Sequence, residues 1–129
     1  MGAWGFGAFE NDSAQHWIGD LEEVDNLTMI DQTLQAVINT PVPPETDCCE
    51  ALAAAEVVAA LHKAPSPTLA EEAASWIKKN PNLTDALREK ALEAVTVILS
   101  DSELRDVWVE EDDLEVWKEE LEDLILRLK

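Results

Sequence analysis

Ala51-Leu52-Ala53-Ala54-Ala55-Glu56-Val57-Val58-Ala59-Ala60-Leu61 is the stretch whose reading decides the fold. It is apolar nearly all round, as a helix buried on most sides is, with Glu56 the sole interruption. Its alanines let neighbouring helices come close, so it is expected to be the central helix, with Asp47 as N-cap.

Upstream, Pro41, Pro43 and Pro44 stop a helix that opens near Asn26 and carries Leu27, Ile30, Leu34, Val37 and Ile38 as its stripe. Before it, Ala14, Trp17, Ile18 and Leu21 recur at i, i+3, i+4 and i+7, which predicts a helix over about 12–23. Asn11 and Asp12 are both good N-caps for it, and Asp12 is expected to be used as one. Downstream, a Pro-Ser-Pro turn at 65–67 leads to Thr68 and Glu71, spaced as a capping box, and to Leu69, Ala73, Trp76 and Ile77. Thr84 caps a fifth helix with Leu87, Ala91, Ala94, Val95 and Ile98 inward. Ser100 with Glu103 repeats the capping-box spacing before Leu104, Val107 and Trp108. Glu110 to Asp113 mark a break, and a last helix carries Leu114, Trp117, Leu121, Leu124, Ile125 and Leu128.

The fold expected is all-α: one domain over residues 1–129, a compact array of about seven short helices with tight connections. At its N-terminus Gly2, Gly5 and Gly7 interleave with Trp4, Phe6 and Phe9. That pattern predicts an irregular segment anchored to the core by its aromatic rings, with Trp4 and Trp17 in structural roles.

Charge narrows the function. Twenty-eight acids face nine Lys and Arg, a net −19, and no Lys or Arg precedes Lys63. Nucleic acids and anionic membranes are polyanions bound through Lys and Arg, so this chain is expected to bind neither. A basic protein partner fits, and so does the plain reading of charge as a solubility device that keeps a small protein a monomer or weak dimer. Cys48 and Cys49 are adjacent and have no other cysteine to pair with, so no disulfide framework and no C-x-x-C metal motif exists. The opening residues lack a signal peptide's basic and long apolar regions, and no apolar run is long enough to span a bilayer. A reducing cytoplasm is the expected setting.

Three motif-like stretches add a resemblance to these readings. The opening Met1-Gly2-Ala3-Trp4-Gly5-Phe6-Gly7-Ala8-Phe9-Glu10-Asn11-Asp12-Ser13-Ala14-Gln15-His16-Trp17, the alanine-rich stretch at 51–61 and Ser102-Glu103-Leu104-Arg105-Asp106-Val107-Trp108 resemble the bacterial family known as domain of unknown function 4259. His16 departs from it, standing where an acid beside the tryptophan is common. The resemblance implies no activity, cofactor or catalytic residue. The association of such small acidic proteins with bacterial toxin systems implies an immunity role.

Several constellations bear on chemistry. Asp12, His16 and Asp20 share one helix face, but i to i+8 spans about 12 Å of axis, too far for one ion. No metal site and no cofactor is expected, and the solvated polar face is the plainer reading. Glu56 in an alanine-rich helix is either a catalytic acid raised by burial or, as favoured here, a structural acceptor for backbone or indole N–H groups or a partner for Arg105. Cys48-Cys49 read as small buried hydrophobes rather than a redox pair. The tryptophans read as core, except that Trp108, ending a short helix beside an acidic run, is the candidate for a binding surface. Residues 101–123 hold twelve acids against Arg105 and Lys118, with Glu110, Glu111, Asp112 and Asp113 as the expected first contacts, unless this is simply a solvated side. The base-free stretch 1–62 is a rival acidic surface.

No catalytic order of Ser, His and Asp, phosphate loop or metal motif occurs, so an enzyme is not expected. The leading expectation is a protein-binding domain, in its sharpest form an immunity protein neutralising a basic toxin. The alternative is a structural or regulatory adaptor that takes a cellular protein in an apolar groove near the N-terminal segment. An enzyme using Glu56 or His16 stands third.

Overall fold

The computed structural model describes residues 7–129, which form seven α-helices and no strand. They are α1 (Asp12–Leu21), α2 (Thr28–Ile38), α3 (Glu45–Leu61), α4 (Glu71–Lys79), α5 (Asp85–Ser100), α6 (Glu103–Glu110) and α7 (Leu114–Leu128). Trp4 and Phe6, two of the expected aromatic anchors, lie outside the described residues. The third, Phe9, is buried in the core.

α3 occupies the centre. It packs against α1, α2, α4, α5, α6 and α7. Residues 51–59 and Leu61 are all buried, because a helix with neighbours on every side has no face left for water. The other stripes point at it. Ala14, Trp17, Ile18 and Leu21 of α1, Leu87, Ala91, Ala94, Val95 and Ile98 of α5, and Trp117, Leu121, Leu124 and Leu128 of α7 are the buried positions of their helices. These are the residues that 3.6-residue spacing selects. Two indoles tie helices together while staying in the core: Trp17 Nε1–H donates to Thr33 Oγ1 at 2.9 Å, and Trp76 Nε1–H to the Val24 carbonyl at 2.8 Å.

Helix starts depart from expectation more often than helix bodies. Asn11, not Asp12, caps α1: its Oδ1 accepts from Ala14 N–H at 2.8 Å, while Asp12 is an exposed first-turn residue. Asp47 does not cap α3, which starts two residues earlier after Pro44; its acids serve the first turn instead. Thr68 does not cap α4, because its N–H and hydroxyl are engaged with Ser66 Oγ in the preceding turn. Ser100 donates to the Thr96 carbonyl at the end of α5, and Ser102 is the cap of α6, accepting from Arg105 N–H at 3.0 Å. Glu103 thereby leaves its expected capping box. Its Oε1 accepts instead from Glu45 N–H, and its own N–H donates to the Pro43 carbonyl, which joins the starts of α3 and α6.

Two helix ends share one motif. After α3, Lys63 sits at φ 64°, Ala64 N–H donates to the Ala59 carbonyl and Lys63 N–H to that of Ala60. After α6, Asp112 sits at φ 61°, Asp113 N–H donates to Trp108 and Asp112 N–H to Val109. Both are Schellman closures with a non-glycine residue in the left-handed position. The first aims the Ala64 carbonyl at α7, and the second makes the tight α6–α7 corner.

Candidate functional site

The acids of residues 101–123 decorate α6, the corner and the outer side of α7. All twelve are exposed, from Asp101 and Glu103 through the corner quartet Glu110, Glu111, Asp112 and Asp113 to Asp123. Among them Asp123 is paired with Arg127 at 2.8 Å. The rival stretch is less open: of the eleven acids in 1–62, Glu56 is buried, Glu10, Asp31, Glu45, Asp47 and Glu50 are half-buried, and Asp31 is paired with Lys90 at 2.7 Å. Repulsion among charges is weakest where water screens them, so the exposed set is cheaper to keep and freer to meet a partner.

Trp108 is not part of that exposed surface. It is 6% exposed and belongs to the core, because α6 lies against α3, α5 and α7 and turns its indole inward. The exposed apolar groups at the corner are its neighbour Val109, at 48%, and Val116 in the first turn of α7, at 45%. They lie on one shallow recess of about 310 Å³ with Asp112, Asp113, Leu114 and Glu115.

Glu56 has a partner, and it is not Arg105. Arg127, in the last turn of α7, donates from Nη1 and Nη2 to Oε1 and Oε2 at 2.8 and 2.9 Å, a two-pronged pair that suits a planar guanidinium. Nη1 also reaches the Ala64 carbonyl, and Nε reaches Asp123. The hydrogen bonds that Arg127 donates to Glu56 outweigh the burial of the guanidinium and push Arg127 above its already high ordinary value. Arg105 is half-buried in α6, where its backbone N–H serves the Ser102 cap. Glu56 therefore binds the C-terminal helix to the middle of α3, with both oxygens engaged by Arg127.

His16 and Asp20 are exposed on α1, 3.9 Å apart, and no group of three His, Cys, Asp or Glu side chains among the described residues could hold a metal ion. Burial pushes the Glu50 carboxyl above its ordinary value, with Asp47 and Asp20 adding to the shift and His16 opposing it. Cys48 and Cys49 are free and buried, and burial raises their thiols to about 11 and about 12. Raising a thiol from 9.0 to about 11 leaves it about a hundredfold less thiolate near neutral pH. The native protein should accordingly resist iodoacetamide, with both cysteines alkylated once denaturant is added. Alkylation of either one in the native state at the rate of free cysteine would contradict this burial.

The family model described as Domain of unknown function (DUF4259) matches residues 2–120. The chain belongs to the DUF4259 family. No curated protein and no solved structure matches it. In this DUF4259 chain Glu56 and the whole α6–α7 corner fall inside the matched stretch, whereas Arg127 lies beyond it.

Sequence reasoning missed Arg127 and the two valines. Arg127 stands at i+4 from Asp123, a spacing that signals a surface pair and hides the buried one. Val109 and Val116 fall just off the inward stripes that Trp108 and Trp117 define. An apolar residue beside a tryptophan on an otherwise acidic face was the available signal.

Proposed function

We propose that this DUF4259 domain is a protein-binding module, working in the cytoplasm, that recognises a basic partner through the acidic face of α6 and α7. In its sharpest form it is an immunity protein that occupies the cationic cleft of a toxin. One observation carries the reading: every acid from Asp101 to Asp123 is exposed, and only Arg105 and Lys118 stand against them in that stretch, both half-buried. Such a surface steers a cationic protein into contact and repels nucleic acid. The remaining titratable groups that the sequence singled out favour binding over catalysis. Glu56 is occupied by Arg127, both thiols are buried, and His16 is on an open helix surface. Beside the N-terminal segment, the cleft at Gly7 and Glu10 is lined by Ser66, Pro67, Thr68, Glu119, Glu120 and Asp123. Four carboxylates there suit a cationic partner better than the apolar groove an adaptor would need.

Affinity capture from a lysate of cells that express the chain, eluted by a salt gradient, tests this. The expected result is a protein of basic isoelectric point, retained at about 0.1 M salt and released as the Debye length shrinks toward about 3 Å near 1 M. Retention of neutral or acidic proteins that salt does not release would overturn the charge-based reading in favour of an adaptor.

A further inference from the structure

The geometry points to the α6–α7 corner as a docking recess for a short partner segment in which an aliphatic side chain is flanked by lysines or arginines. The inference rests on the reading of the domain as a binder of basic proteins and specifies where and what it grips.

The recess joins two chemistries that the rest of the acidic face keeps apart. Val109, Leu114 and Val116 supply an apolar floor, with the two valines about half exposed to water. Asp112, Asp113 and Glu115 line the same recess, Glu110 and Glu111 immediately precede them, and no base contributes to the lining. At about 310 Å³ it lies at the small end of ligand sites, roughly 300–1,000 Å³, so it accommodates a side chain rather than a bulky cofactor. A purely polar cationic segment would satisfy the carboxylates and leave the valines wet. An aliphatic group seated on the valines removes that surface from water while its basic neighbours meet the rim, the usual division between an apolar contact centre and a polar edge. A second copy of the chain is a poor occupant, since it would bring Asp112, Asp113 and Glu115 against the same charges.

The two clefts at Leu27 lack this combination, since each includes a lysine. One contains Lys79 beside Asp25 and four amide- or proline-bearing residues, and the other Lys90 beside Asp31. The corner backbone is also fixed, because the Schellman closure at Asp112 sets the position of both aspartates relative to Val109.

Two synthetic pentapeptides of equal charge, one alternating lysine with leucine and the other lysine with serine, are titrated into the full-length chain at low ionic strength and followed by amide NMR. The leucine peptide is expected to bind at least tenfold more tightly, with the largest shifts at Val109, Leu114 and Val116. Val109→Ser with Val116→Ser should abolish that tenfold difference and leave only weak, salt-sensitive binding common to both peptides. Both valines are exposed, so the variant keeps the wild-type amide spectrum elsewhere. Equal affinities for the two peptides, or shifts scattered over the acidic face, would overturn the recess while leaving the charge-based function standing. Absence of binding by either peptide would overturn both.

Discussion

Replacing Arg127 by alanine should lower the free energy of unfolding by about 3–5 kcal/mol, the largest loss expected from any surface-reaching side chain in this protein. The substitution removes both prongs on Glu56 and the hydrogen bond to the Ala64 carbonyl. It strands a carboxylate that is 7% exposed among alanines and valines of α3. Glu56→Gln should cost less, about 2 kcal/mol, since an amide leaves no uncompensated charge and Arg127 keeps Asp123 and Ala64. Replacing both residues by leucine should recover most of the loss, because no buried charge then remains to be matched. Urea denaturation of the three variants checks the order. An Arg127→Ala protein within about 1 kcal/mol of wild type would show that water reaches Glu56 well enough to replace the guanidinium.

Ala55→Leu is expected to destabilise by about 3 kcal/mol, at the upper end for added bulk in a close-packed core. Ala55 is fully buried, and α3 has helices on every side, so the added carbons cannot be relieved by moving one neighbour. Ala60 is half-buried on the same helix, and Ala60→Leu should be close to neutral. Thermal or urea unfolding distinguishes the two. Equal effects at both positions would mean that the alanines of α3 do not set the approach of its neighbours.

The body of the fold was legible because burial is periodic. The stripes on α1, α5 and α7 and the all-round burial of α3 follow from which residues are apolar, and each was readable without knowing what lies opposite. Helix starts were less legible. Asn11 and Asp12, or Ser100 and Ser102, are chemically equivalent cap candidates, and the choice depends on where neighbouring helices place the backbone; Glu103 serves Glu45 because α6 begins beside α3. The partner of Glu56 was illegible for the same reason. It is 71 residues away, a separation on which local spacing is silent. Trp108 reads as surface from the acids that follow it, yet its side of α6 faces three other helices. The acidic face was legible as composition, but that the carboxylates of 101–123 are exposed while half of those in 1–62 are not required the packing itself.

A surface of exposed carboxylates acts first on encounter, since long-range attraction accelerates approach while short-range packing governs escape. The stopped-flow association rate of the chain with its captured basic partner, followed from about 20 mM to about 500 mM salt, therefore tests the central claim most directly. The comparison is with the variant Glu110→Gln, Glu111→Gln, Asp112→Asn, Asp113→Asn. The account predicts that the wild-type rate falls at least about tenfold over that range, that the variant is slower at low salt, and that the two converge at high salt. A wild-type rate indifferent to salt and equal to that of the variant would contradict it.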